Sequence, residues 1–235
     1  MLIGGFDSPL QTWGRQTAVF KKYFKVITFD SRGTGRSSKP SGPYSVAVMA
    51  EDVIKLMDLL KIEKAHIVGV SLGGLVAQEI AIQYPQRVEK LVLGTTFAYI
   101  SAASGPTTDM YRIMHLPFSQ MLDSMAGLML NRKLYRTFLL PIAYLKNRLA
   151  HRAAILGKRE AANNFDLSQS LSGVLSPTLI LTGTADRVIL PSSSEILKSL
   201  IPGSKLVMVE NGSHMFFMEN AKTFDRAVLN FLLER

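Results

Sequence analysis

Short apolar, β-branched runs alternate along this chain with segments whose apolar residues recur at helical spacing. When a helix connects two strands of one sheet, the connection is a right-handed crossover and the two strands are parallel. Successive helices then cover both faces of the sheet. The alternation therefore predicts an α/β fold with a mainly parallel sheet of about six strands and helices on both faces. The predicted strands are residues 1–6, 26–29, 66–70, 90–93, 178–181 and 205–209, and the predicted helices are residues 46–60, 72 to the proline at 85, 193–200 and 220–233.

The alternation stops between residues 97 and 173, where helical patterns occur without a convincing strand. This stretch predicts a helical cap inserted between two strands, so we expect the core to comprise residues 1–96 and 174–235. The cap carries nine Lys and Arg residues against four Asp and Glu residues, an excess of five positive charges. Its four predicted helices are residues 111–116, 119–130, 133–148 and 151–163.

The composition excludes several classes of protein. Without cysteine, the chain has no disulfides, thiolate metal sites or cysteine nucleophiles. Residues 1–5 lack the basic and apolar stretches of a signal peptide, and no window is long enough to span a membrane. We therefore expect a soluble, cytoplasmic protein with no membrane partner. The net charge of +9 comes from scattered Lys and Arg residues, which favours a solvated basic surface over a nucleic-acid site.

A Gly-x-Ser-x-Gly pentapeptide centred on Ser71 lies between a predicted strand and a predicted helix. Such a turn exposes the serine hydroxyl, and small residues on either side let the strand and the helix approach closely. The helix N-terminus adds backbone N–H groups beside any oxyanion that develops there. A chance match in an ordinary turn is the alternative, but the strand–helix context favours a nucleophile.

His214 and Asp186 each follow a later predicted strand, so they are expected at the same edge of the sheet as Ser71. His214 is the histidine, of four in the chain, that follows the last strand, and it is our candidate general base. Asp186 is the candidate for the acid that orients it. The alternative for His214 is a solvated loop histidine. The alternatives for Asp186 are a helix cap and a salt bridge with Arg187.

The oxyanion formed at an attacked carbonyl needs two N–H donors. We assign them to the backbones of Leu72, directly after the serine, and of Phe6, after the Gly4–Gly5 turn; an ordinary glycine turn is the alternative. Gly33 and Gly35 begin a pattern typical of dinucleotide sites, but Ser38 stands in the third glycine position, and a Rossmann site is rejected.

These residues resemble the α/β-hydrolase superfamily, and in particular its compact, capped branch of carboxylesterases, enol-lactone hydrolases, perhydrolases and C–C bond hydrolases. Residues 30–37, 69–74, 181–186 and 212–214 look like the turn after the fourth strand, the nucleophile elbow, the acid segment and the histidine segment. Two features depart from the family pattern. Gly4 replaces the usual histidine before the oxyanion glycine, and no hairpin precedes the third strand, which should leave Val26–Phe29 at a sheet edge.

The resemblance implies a catalytic triad of Ser71, Asp186 and His214, and no metal or organic cofactor. A carboxylesterase that acts on a small-molecule ester, which the basic cap suggests is anionic, is the first expectation. An enol-lactone hydrolase or C–C hydrolase is the alternative among enzymes, and a low-turnover ligand receptor on the same fold is the alternative from another class. Pairing of two chains through the open sheet edge would give a homo-oligomer.

Overall fold

The computed structural model describes residues 1–100, 112, 116, 120 and 152–234. In these residues, five parallel strands form one sheet, and neighbours in sequence are also neighbours in the sheet. Thr28 extends the sheet beyond β1 through a single parallel bridge to Leu2. The strands are β1 (Leu2–Ile3), β2 (Ala65–Val70), β3 (Val88–Gly94), β4 (Thr178–Gly183) and β5 (Lys205–Val209).

Helices connect these strands and cover both faces of the sheet. One cluster of buried apolar residues joins the sheet to the helices that begin at Val46, Leu72 and Pro191, and a second joins its other face to the helices that begin at Gly14 and Ala221. In the described residues the helices are α1 (Gly14–Phe20), α2 (Val46–Leu59), α3 (Leu72–Gln83), α4 (Arg152–Asn163), α5 (Pro191–Leu200), α6 (Phe216–Glu219) and α7 (Ala221–Leu233). Short 3-10 helices lie at Leu10–Trp13, Pro85–Arg87 and Leu171–Gly173.

Two adjacent strands, β3 and β4, show that the centre of the sheet is buried on both faces. β3 reads Val-Glu-Lys-Leu-Val-Leu-Gly, and its last four residues are all buried. All six residues of β4 are buried as well. A strand covered on both sides shows a continuous apolar run rather than an alternating one, which is the pattern of these sequences.

The predicted fold class is confirmed: the sheet is parallel and helices lie on both of its faces. The predicted strand at Val26–Phe29 is wrong in extent, because only Thr28 forms a bridge and the Ile27 carbonyl accepts from the Leu2 amide at 2.9 Å. A segment that pairs with a strand on just one side lacks the second row of backbone hydrogen bonds that stabilises an inner strand.

The cap predictions fall mostly outside the described residues. Of the four predicted cap helices, the last is present as α4, while those at residues 111–116, 119–130 and 133–148 lie outside the continuous described ranges. Among the residues that the structure describes, no helix is both long and apolar enough to cross a membrane.

Candidate active site

Ser71 lies at the sharp turn between β2 and α3, in a backbone conformation that residues other than glycine rarely adopt. Its φ is 53° and its ψ is −124°. The turn is possible because the backbones around it approach closely: a Cβ on Gly69 would lie 2.2 Å from the Gly73 carbonyl oxygen, and one on Gly73 would lie 2.3 Å from that of Ile3. The two glycines therefore let β1, β2 and α3 meet, and the turn projects Ser71 beyond the strand.

The loops that carry Asp186 and His214 are held together by backbone contact. A Cβ on Gly183 would lie 2.2 Å from the Gly212 carbonyl oxygen, and that oxygen accepts a hydrogen bond from the Ala185 amide at 2.9 Å. The Ser213 hydroxyl donates to the buried Glu219 carboxylate on α6, which anchors the residue before His214. Parallel strands end at the same edge, so these two loops reach the edge where Ser71 lies.

The structure brings the three predicted side chains into hydrogen-bond contact. His214 Nε2 lies 3.1 Å from Ser71 Oγ, and His214 Nδ1 lies 2.9 Å from Asp186 Oδ2. His214 and Asp186 are 1% and 3% exposed, so their contact is shielded from water. The second carboxylate oxygen of Asp186 accepts from the amides of Val188 and Ile189 at 2.8 and 3.0 Å, which fixes the orientation of the carboxylate.

A fourth side chain, which the sequence analysis did not identify, touches both Asp186 and His214. Thr95 follows β3 and is buried; its hydroxyl donates to Asp186 Oδ2 at 2.6 Å and lies 2.7 Å from His214 Nδ1. Its φ of 44° is unusual for a β-branched residue. The only sequence signal for Thr95 is a hydroxyl side chain directly after a predicted strand.

The turn that carries the predicted oxyanion donor lies directly against the serine. A Cβ on Gly5 would lie 3.1 Å from Ser71 Cβ and 3.6 Å from Ser71 Oγ. The Ser8 amide donates to the Gly5 carbonyl at 3.2 Å and closes the turn around Phe6. Leu72 is the first residue of α3. The two segments chosen for the oxyanion donors therefore both adjoin Ser71.

The sequence model of the alpha/beta hydrolase fold matches residues 4–136 and 143–221, which together make up most of the chain. The chain belongs to the alpha/beta hydrolase fold family.

Relatives of this hydrolase have several named activities. It is 29% identical over 247 residues to the "Putative carbamate hydrolase RutD" of Caulobacter sp. (strain K31), with 99% of this chain and 89% of that protein covered. It is 30% identical over 225 residues to 3-oxoadipate enol-lactonase 2 of Acinetobacter baylyi, with 93% and 82% covered. The crystal structure of the enol-lactonase from Burkholderia xenovorans LB400 superposes with a TM-score of 0.88 at 27% identity, covering 99% of this chain and 90% of that one.

A buried lysine of this hydrolase connects α4 to the loops beside the site. Lys158 is 1% exposed, and its ammonium donates to the hydroxyl of Thr34. Burial lowers the pKa of Lys158 to about 8, although the charge of Asp7, which follows Phe6 in the oxyanion turn, opposes that shift. Burial also raises the pKa of Asp7 above its usual value, against the opposing charges of Lys158 and Lys39 and a hydrogen bond from Thr34.

The other histidines do not join the site in the described part of this hydrolase. His66 lies near the start of β2, at the opposite end from Ser71, and packs against the ring of Phe24. His115 and His151 lie outside the described residues. In the described ranges, no cluster of three His, Asp or Glu side chains is arranged to hold a metal ion.

Proposed function

We propose that this chain is a serine hydrolase that cleaves carboxylic esters through an acyl-enzyme formed on Ser71. The observation that carries the proposal is the continuous series of contacts from Ser71 Oγ to His214 Nε2, at 3.1 Å, and from His214 Nδ1 to Asp186 Oδ2, at 2.9 Å. A nucleophile, a base in reach of it and an acid that orients the base are the three parts that activation of a serine needs.

In the first half of the reaction, Ser71 Oγ attacks the ester carbonyl carbon while His214 Nε2 takes the hydroxyl proton. The carbonyl oxygen becomes an oxyanion, which the backbone N–H groups of Phe6 and Leu72 stabilise. Asp186 stabilises the imidazolium through Nδ1–H. The C–O bond to the leaving alcohol then breaks, His214 gives its proton to that alcohol, and the acyl group remains on Ser71.

In the second half, water takes the place of the alcohol. His214 removes a proton from the water as its oxygen attacks the acyl carbon, and the same two N–H groups hold the second oxyanion. Collapse of this intermediate returns the proton from His214 to Ser71 Oγ and releases the carboxylic acid. The serine and the imidazole are then restored for another cycle.

Enol-lactone hydrolysis is the second candidate, and the similarity to two enol-lactonases favours it. A lactone is an internal ester, so the same residues would act on it. The single chemical difference is that the leaving oxygen stays attached to the acyl group. The carbamate named for another relative also offers a carbonyl carbon for attack.

A substrate panel on the purified protein tests the reaction class. We expect steady turnover of p-nitrophenyl acetate or butyrate, with lactones, an aryl carbamate and a vinylogous 1,5-diketone compared at equal concentration. Faster turnover of an enol-lactone would assign the second candidate, and exclusive cleavage of the diketone would assign C–C hydrolysis. Release of one equivalent of nitrophenol followed by no turnover would instead indicate a ligand receptor.

Substitution and covalent labelling test the mechanism. Ser71→Ala and His214→Ala should each lower kcat by roughly 10⁴-fold or more, and the double variant should be no worse, because the groups act as a unit. A fluorophosphonate should add one adduct to the peptide that contains Ser71, measured by mass spectrometry. Near-normal turnover by Ser71→Ala, or an adduct on another serine, would contradict the assignment.

A further inference from the structure

We infer that Thr95 is a positioning residue for the proposed reaction, and that its hydroxyl holds His214 in the tautomer that can accept the Ser71 proton. The inference rests on the proposed function, because it assigns to Thr95 a role that acts through His214 and Asp186. Thr95 itself touches neither Ser71 Oγ nor the reacting carbonyl in the proposed scheme.

Three polar atoms meet on the Nδ1 side of the His214 imidazole. Thr95 Oγ1 lies 2.6 Å from Asp186 Oδ2 and 2.7 Å from His214 Nδ1, and the last two atoms are 2.9 Å apart. They form a closed triangle in which every side has hydrogen-bond length. All three residues are buried, at 1%, 3% and 1% exposed for Thr95, Asp186 and His214. Thr95 Oγ1, Asp186 Oδ2 and His214 Nδ1 therefore satisfy their hydrogen bonds with one another, while Asp186 Oδ1 and His214 Nε2 bond to groups outside the triangle.

Counting protons around the triangle decides the direction of each bond. An ionised carboxylate only accepts, and a hydroxyl has a single proton to donate. Because the Thr95 hydroxyl donates its hydrogen bond to Asp186, its oxygen can only accept from His214 Nδ1. Both oxygens beside Nδ1 are then acceptors, so Nδ1 carries the proton. Nε2 is left unprotonated opposite Ser71 Oγ, as a general base must be.

The backbone around Thr95 shows how this position is built. The Thr95 amide donates to the Leu181 carbonyl at 2.8 Å, which ties the residue to β4, the strand that leads to Asp186. Its φ of 44° lies in the left-handed region. Such a conformation is unfavourable in a residue other than glycine and persists where the surroundings fix it. The neighbouring Thr96 donates its hydroxyl to the Ser71 carbonyl at 2.9 Å.

The effect of the Thr95 hydroxyl on the His214 tautomer depends on Asp186, so it can be tested by comparing Thr95 variants with and without that carboxylate. Thr95 presents an acceptor to His214 only while its proton is engaged by Asp186; without that carboxylate the hydroxyl is free to donate to Nδ1 and would favour the opposite tautomer. The benefit of the hydroxyl should therefore disappear in an Asp186→Ala background. A residue that merely fills space would impair both backgrounds alike.

The experiment compares Thr95→Val, which keeps the shape and removes the hydroxyl, with Thr95→Ser, which keeps the hydroxyl. A hydrogen bond to a charged group is worth about 1.5–3 kcal/mol, so Thr95→Val should lower kcat for p-nitrophenyl butyrate by roughly 10- to 100-fold. KM should stay within about twofold, because the substrate is not contacted. Thr95→Ser should retain at least about a third of the wild-type kcat. In the Asp186→Ala background, adding Thr95→Val should lower kcat by less than about threefold.

Thr182→Val is the matched control. Thr182 is a fully buried threonine on the neighbouring strand β4, and its hydroxyl has no hydrogen-bond partner among the described residues. The same change of atoms there should leave kcat and KM unchanged. If Thr95→Val does not accumulate as folded protein, Thr95→Ala against Thr95→Ser makes the same comparison.

Three results would overturn the inference: a folded Thr95→Val within about threefold of wild-type kcat, a Thr95→Ser as impaired as Thr95→Val, or an equal loss in both backgrounds. These outcomes are separate from failure of the proposed function. If Ser71→Ala abolishes turnover while Thr95→Val is fully active, the mechanism stands and only the role of Thr95 is lost. If Ser71→Ala is active, the mechanism itself is wrong.

Discussion

Two residues other than glycine occupy left-handed backbone conformations at the ends of adjacent strands, and both belong to the candidate site. Ser71 directly follows β2 with a φ of 53°, and Thr95 directly follows β3 with a φ of 44°. The Ser71 amide donates to the Gly94 carbonyl at 2.9 Å, so the two turns are also bonded to each other. Unfavourable conformations persist where surrounding contacts fix them, and here both contribute side chains to one site.

Gly5 provides a test of how closely the turn that carries Phe6 packs on Ser71. We expect Gly5→Ala to lower kcat by roughly 10-fold, because the added Cβ would lie 3.1 Å from Ser71 Cβ and shift the serine by a few tenths of an ångström relative to His214. Gly14→Ala is the control, since a Cβ there would meet nothing within 4 Å. The measurement is kcat on p-nitrophenyl butyrate, with the melting temperature of each variant. An active Gly5→Ala would show that the turn yields without moving Ser71.

At the level of single residues, the sequence predicted the groups with distinctive chemistry and missed the one without it. Ser71, Asp186 and His214 could be placed at one edge because each follows a strand of a parallel sheet. Thr95 also follows a strand, but threonine is common in strands for reasons of packing. Its contact with Asp186 depends on a left-handed turn, for which the sequence carries no glycine or asparagine as a signal.

Among the elements, β2 to β5 were predicted best, because each is a short run of mostly apolar residues bounded by turn residues. β5 was predicted with its observed bounds, and β4 was predicted from the same first residue. The helix α1 was missed, since its seven residues carry few apolar side chains. Its buried Gln16 instead bonds to the Phe217 carbonyl and to Asp225 on α7, at 2.9 and 3.0 Å. Such tertiary hydrogen bonds leave no periodic pattern in the local sequence.

Lys158 on α4 makes the stability of the fold depend on pH in a defined window. Its pKa is lowered from 10.5 to about 8 by burial, so between these values the unfolded chain binds more protons than the folded one. The free energy of unfolding therefore increases by roughly 3 kcal/mol in total as pH rises from about 8 to above 10.5, and this gain is lost again as pH falls to 8.

We expect that gain to be absent in Lys158→Met. The measurement is urea unfolding of the wild type and the variant at several pH values from 7 to 10.5. Subtracting one curve from the other removes the titrations that both proteins share. Lys22→Met, at an exposed lysine, is the control and should track the wild type. A constant difference between wild type and Lys158→Met across this range would show that the amine does not titrate in the window.

The whole molecule concentrates its candidate chemistry at one edge because its strands are parallel. The carboxyl ends of β2, β3, β4 and β5 lead to Ser71, Thr95, Asp186 and His214 respectively, in the same order as the strands lie in the sheet. Residues separated by 143 positions thus come within 3.1 Å. Topology alone made this edge predictable, whereas the fold does not determine the substrate preference of the site that it carries.

The net charge of +9, and the excess of positive charge in residues 97–173, lead to a prediction about substrate charge. A basic surface near a site entrance attracts anions and raises their rate of encounter, and salt screens this attraction, with a Debye length of about 10 Å at 0.1 M. We propose that the natural substrate is a small anionic ester. On this basis, kcat/KM for mono-p-nitrophenyl adipate should fall several-fold between about 0.02 and about 0.5 M NaCl, while that for neutral p-nitrophenyl butyrate should stay level.

Changing Arg132, Lys133 and Arg136 together to glutamate reverses the charge of one part of that stretch, and it should abolish the difference between the two esters. The alternative is that these charges lie on solvated helix faces with no partner, as most surface charges do. The neutral ester serves as the internal control, because salt effects on folding or on chemistry act on both substrates. Equal responses of the two esters to salt would assign the basic residues to solubility and remove the argument for an anionic substrate.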